Sequence, residues 1–142
     1  MKYSDLFKAI ATDAQSYFSN SNIYFDDNYD DVLPSEFLNF RFSVSGNTDQ
    51  KTFYTTSNEA EYKSNVVVAV EIRKEQSLNK LSLYDNIQEA QEWLHFIATA
   101  HNMLPIDVTT EMDTARSNDK AEGYSMSVVT GVFEVRQLIT KR

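Results

Sequence analysis

The last third of the chain leaves the fewest folding options. From Ser82 to His101 it reads SLYDNIQEAQEWLHFIATAH, with Leu83, Ile87, Ala90, Leu94, Ile97 and Ala98 at helical spacing and Trp93 and Phe96 flanking that stripe. Ser82 stands where an N-cap belongs, with Asp85 three residues on. Pro105 then forbids continuation, because its ring lacks an N–H and crowds the preceding turn. Two stretches of strand character follow, about Ile106–Arg116 and about Gly123–Leu138, separated by the charged loop Arg116–Glu122. An amphipathic helix beside a hairpin buries its stripe by packing on the sheet, which predicts an α+β domain.

The upstream sequence supplies the remaining layers. A helix is expected over Ser4–Phe18, capped by Ser4, with Leu6, Phe7, Ile10, Ala11, Ala14, Tyr17 and Phe18 on one face. Ile23–Phe25 is a short strand candidate. Phe37–Ser45 alternates cleanly, with Leu38, Phe40, Phe42 and Val44 in one phase and Asn39, Arg41 and Ser43 in the other. Gly46–Asp49 reads as a turn, Lys51–Thr56 as a strand pairing back, and Ser57–Asn65 as a polar loop. Val66–Ile72 is apolar almost throughout, the mark of a central strand. Arg73–Leu81 reads as a polar connection. In the last strand Tyr124, Met126 and Val128 share one phase and Val129, Phe133 and Val135 the other, which predicts a β-bulge between Val128 and Gly131. The expected order is α-(β)-β-β-β-α-β-β: one domain over residues 1–142, with an antiparallel or mixed sheet of about four to six strands and two helices packed on it.

Charge and composition narrow the function. The 142 residues carry a net charge of −8 and no dense Lys/Arg cluster, which argues against gripping a nucleic-acid backbone. Cysteine is absent, so disulfides and thiolate metal sites are excluded. No apolar run approaches the roughly 20 residues of a membrane span, so a soluble, cytoplasmically made protein with no membrane partner is expected.

No constellation for catalysis emerges. His95 and His101 lie on one helix about 240° apart in projection, too far round to share a ligand set. Asp26, Asn28 and Asp30 imitate the start of a calcium loop, but Asp31 stands in place of its glycine and Phe37 in place of its glutamate. Three glycines cannot build a phosphate-cradling loop. Asp107, Glu111 and Asp113 share one strand face, opposite in phase to the core, and read as a solvated acidic face. Trp93, the single tryptophan, reads as core, or alternatively as an anchor at a subunit interface. The expectation is a protein that is not an enzyme and needs no cofactor or metal.

The run from about Tyr84 to Arg136 resembles bacteriophage neck or tail-terminator proteins. The residues carrying the resemblance are Trp93-Leu94 near a helix end, the turn Leu104-Pro105-Ile106, Arg116 near a strand end, and Gly131-Val132-Phe133-Glu134-Val135-Arg136 in the long final strand. The resemblance implies a virion subunit, made in the host cytoplasm, that closes into a homo-oligomeric ring, usually a hexamer. Such a ring caps the tail-tube protein and joins it to the head connector or a neck protein, with DNA only as passing cargo. Trp93, Glu111, Asp113 and Arg116 are the candidate interface residues. An acidic lumen, repelling transiting DNA, suits the −8 charge. The competing expectation is a monomeric acidic binding protein, such as a toxin-neutralising immunity protein, presenting the Asp26–Asp31 loop to a basic site.

Overall fold

Two helices lie on one face of a six-stranded mixed sheet in a computed structural model that describes residues 2–19, 21–25, 36–45, 52–54, 59–75, 81–112 and 123–140. The element order is α1 (Tyr3–Tyr17), β1 (Ile23–Phe25), β2 (Phe37–Val44), β3 (Thr52–Tyr54), β4 (Glu59–Glu75), α2 (Leu81–Ala100), β5 (Leu104–Glu111) and β6 (Tyr124–Thr140). Across the sheet the strands run β1-β2-β4-β6-β5, with β3 pairing the start of β4. The β1–β2 pair is parallel and the other described pairs are antiparallel. This is the α+β architecture and element order that the hydrophobic patterning predicts.

β4 and β6 are the spine. They pair without interruption from Glu59↔Thr140 to Glu75↔Tyr124. The polar segment expected as a loop over Ser57–Asn65 is therefore strand from Glu59 onward. Its sequence, EAEYKSN, is too polar to announce a strand, but Glu59, Glu61 and Lys63 alternate with Ala60, Tyr62 and Ser64, and the long partner β6 pairs it throughout. Arg73–Glu75 likewise continues the strand rather than beginning a connection. β3 was expected to fold back on β2 but pairs Ala60–Tyr62 of β4 instead. The turn Gly46–Asp49 lies outside the described residues.

The expected bulge in β6 is absent, since a bulge would break that uninterrupted register. The two apolar phases are two faces. Val129, Phe133 and Val135 enter the main core under the helices. Met126 joins Phe37 in a small cluster on the opposite face, flanked by Tyr24 and Val128. The register shift lies in β5, where Pro105 pairs Phe133 and Asp107 pairs Val132, leaving Ile106 as the extra residue.

The core forms where β2, β4 and β6 present Leu38, Phe40, Val66, Val68, Val70, Ile72, Val129 and Phe133 to the helices. α1 contributes Leu6, Ile10 and Ala14, with Phe18 just past its end. It begins after Lys2 with no side-chain cap, so Ser4 is not the N-cap. α2 buries Leu83, Ile87, Ala90, Trp93, Leu94, Ile97 and Ala98. It stops before Pro105 is reached. Asn102 adopts a left-handed φ of 54°, and the Met103 amide donates 2.8 Å back to the Ala98 carbonyl. That six-to-one bond closes the helix end, with asparagine tolerating the conformation that glycine usually takes there.

Candidate functional site

β5 is the edge of the sheet and the most exposed strand. It pairs with β6 alone among the described strands, and seven of its eight residues are exposed, Val108 being half-buried. Leu104 is 60% exposed, Ile106 52% and Met112, just beyond the strand, 41%. Isolated edges invite pairing, and proteins blunt them with proline, bulges and charge. β5 carries Pro105 and the Ile106 bulge at its start, then Asp107 and Glu111 on regular backbone. The half from Asp107 to Glu111 therefore keeps an ordinary pairing geometry along an unoccupied side. Gln91 of α2 donates to the Thr110 hydroxyl at 2.9 Å and braces the strand from the helix layer.

The sheet face turned away from the helices holds a second group. Arg41 Nε donates to Glu71 Oε1 at 2.6 Å, and Asn39 Nδ2 donates to the same oxygen at 2.8 Å. Asn39 is fully buried although alternation placed it toward solvent; the Glu71 carboxylate takes its amide N–H, and its Oδ1 has no partner among the described residues. The Arg73 guanidinium lies 4.4 Å from the Tyr124 ring centroid and 5.5 Å from that of Phe37. Both contacts fall within cation–π range, and they close the Phe37–Met126 end of this face.

On the helix side, an open cleft of about 470 Å³ runs between the end of α1 and the start of α2, lined by Tyr17, Asp85, Glu89 and Glu92 among others. Desolvation pushes the Tyr17 phenol above its ordinary value, and the Glu92 and Glu89 carboxylates push it further. Tyr17 stacks on exposed Phe96, with ring centroids 6.2 Å apart. A second cleft of about 260 Å³ is lined by Asn22, Glu36, Arg73, Lys74 and Asn86 among others, with Lys74 bonded to Ser82 and Glu36. Among the described residues, no group of three or more His, Cys, Asp or Glu side chains could hold a metal ion.

The sequence-predicted interface residues do not form one group. Trp93 is 0% exposed, with its ring edge-on to Phe18 and Phe40 at 5.5 and 5.1 Å. A side chain enclosed on all sides within its own subunit cannot anchor a neighbour, so the interface alternative for Trp93 is withdrawn. Glu111 is exposed at the end of β5, and Asp107 shares its face, as alternation predicts. Asp113 and Arg116 lie outside the described residues, as do the Arg116–Glu122 loop and the acidic loop Asp26–Asp31. His95 is exposed, but His101 Nε2 meets Asp13 Oδ2 at 2.6 Å and ties the end of α2 to α1. That pair spans 88 positions, so nothing local in the sequence announces it. The Arg41–Glu71–Asn39 group has a faint signal, two charged residues at strand positions out of phase with the core, but only the register brings them together.

No family model matches the chain, and no curated protein matches it in sequence. No helix among the described residues is long and apolar enough to cross a membrane.

Proposed function

We propose that this chain is an assembly subunit of the phage neck or tail-terminator type, acting through protein contacts rather than through catalysis. The observation that carries the reading is β5: an edge strand whose outer side meets no other described strand, with Leu104 and Ile106 more than half exposed beside it. Apolar side chains beside an unoccupied strand edge are what a subunit uses to receive a neighbouring strand. Closing a ring needs two different patches on each subunit that meet head to tail. β5 borders one side of the sheet and β1 the other, so the two edges differ in length and sequence. The order of helix, proline turn and two strands over the last third is also the order on which the resemblance rests.

In this role the subunits close into a ring, a hexamer in the family resembled, that caps the tail tube and joins it to the head side. The acidic balance of the chain keeps passing DNA from adhering. Particles assembled without the protein should have full heads and tails of uncontrolled length. Reversing charge on β5 and its continuation, as Glu111→Lys with Asp113→Lys, should block ring closure or joining while the monomer stays folded. Electron micrographs of such particles, with native mass measurement of the isolated protein, decide the matter. Normal-length joined tails from the charge-reversed variant would sink the proposal.

A further inference from the structure

The register of the sheet fixes what stands on its helix-free face. Arg41, Ala69, Thr130 and Thr109 form one row across β2, β4, β6 and β5. The row on one side ends at β5 in Asp107 and the row on the other in Glu111. The middle of the central row is small and uncharged, with Glu71 of β4 in the next row already bonded to Arg41; the β2 border carries that cation, and the β5 border carries two exposed carboxylates. The Arg41 side chain remains 47% exposed even while it bonds Glu71.

We propose that this face receives a second copy of the chain, sheet against sheet, about a two-fold axis running along the strands between β4 and β6. That axis lays β5 of each copy over β2 of the other and keeps each row over its own counterpart. Arg41 then stands over Thr109 of the opposite copy, between Asp107 and Glu111, and symmetry makes the contact twice. Ala69 and Thr130 meet at the centre, where small side chains permit the roughly 10 Å separation of packed sheets. A two-fold axis running across the strands instead would set Arg41 against Arg41 and carboxylate against carboxylate. Charge therefore selects the first orientation.

Asn39 and Glu71 are already buried within the chain, so four strands about 4.8 Å apart and two open rows about 7 Å apart give a patch of roughly 270 Å² per copy, about a third of that of a standard interface. The pairing is accordingly weak and appears at tens to hundreds of micromolar. It leaves the outer edge of β5 free, so it goes beyond the assembly reading and does not depend on it.

Analytical ultracentrifugation of the full chain from about 10 to 500 µM tests the proposal. A reversible doubling of mass is expected, weakened about three- to tenfold between 50 mM and 1 M salt. Thr130→Arg places a long cation at the centre of the patch without touching the core and should abolish the doubling while the circular dichroism and melting curve stay unchanged. Asp107→Lys with Glu111→Lys, both on exposed positions, should weaken it as high salt does. If edge-built rings form, Thr130→Arg should halve their mass. A strict monomer at 500 µM, or any assembly whose mass Thr130→Arg leaves unchanged, overturns the proposal.

Discussion

Gly131 sits in the middle of β6, between Val68 of β4 and Val108 of β5, and its backbone does not adopt a positive φ. Conformational freedom is not what the position requires. A Cβ added there would lie 2.7 Å from Cε2 and Cζ of Phe133 and 3.3 Å from Cδ2 of Leu94. The Phe133 ring leans back over residue 131, and it is fully buried with Leu94 above it. Two effects of Gly131→Ala have opposite signs. Removing a strand glycine gains about 0.5–1 kcal/mol by restricting the unfolded chain. Forcing a methyl group into a filled core costs about 1–3 kcal/mol. Contact at 2.7 Å against a ring with no room to retreat puts the cost ahead, so a net loss of roughly 0.5–2 kcal/mol is expected. At about 2–4 °C per kcal/mol for a chain of this size, the melting point should fall by a few degrees. Urea unfolding followed by circular dichroism and by the fluorescence of buried Trp93 measures it. Phe133→Leu shortens the obstructing ring, so the double variant should be more stable than the two single losses predict, by at least about 0.5 kcal/mol. A stabilised Gly131→Ala protein, or a strictly additive cycle, would refute the packing argument.

Leu94→Ala removes a fully buried side chain against Gly131 and Phe133 and should cost about 2–5 kcal/mol in chemical denaturation. Asn102 holds a left-handed φ, so Asn102→Gly should be neutral or slightly stabilising, whereas Asn102→Val should lower the melting point by an amount equivalent to about 1–2 kcal/mol. Tyr17 holds its proton more tightly folded than unfolded, so the stability this gives is complete below the ordinary phenol value of 10.0 and is lost as pH rises through the folded value. Tyr17→Phe should therefore lose less stability than the natural sequence between about pH 8 and pH 11, read from urea midpoints at the two values. Melting curves with and without chelator should coincide, and a melting point raised by millimolar calcium would turn attention to the Asp26–Asp31 loop.

Local chemistry made the fold legible. The 3.6-residue stripe of α2, the alternation of β2 and the apolar run inside β4 each name their element without help from elsewhere in the chain. What failed were the decisions that depend on a partner. Glu59–Asn65 carries only a faint period-two alternation under its polar composition and is a strand because β6 is long enough to pair it. β3 has two antiparallel neighbours within reach in sequence and pairs the later one. The two phases of β6 imitate a bulge because the sheet carries apolar clusters on both faces at one end, and a one-dimensional pattern cannot separate a second face from a phase slip. Pro105 bounds α2 in the sequence, and the helix ends at Ala100, within a residue of the expected His101, because Asn102 turns the chain before the proline is reached.

The candidate surfaces were legible in the same uneven way. Parity placed Asp107 and Glu111 outside the core, and that needs only a period of two. Trp93 could not be placed by type, because tryptophan serves cores and interfaces alike; its burial depends on Phe18 and Phe40, more than fifty positions away. The helix-free face was invisible as a unit, since its central row draws one residue from each of four strands. That is why the two surfaces ask for different partners. An edge such as β5 offers backbone hydrogen bonds to any extended chain, and selectivity there must come from side chains such as Leu104 and Ile106. A face offers no backbone bonds, so its selectivity is shape and charge, and the row from Arg41 to Thr109 between two carboxylates is asymmetric enough to prefer one orientation over its reverse. A subunit with both can grow along its edges through backbone bonds and pair through its face through side chains, with Glu111 at the border of the two.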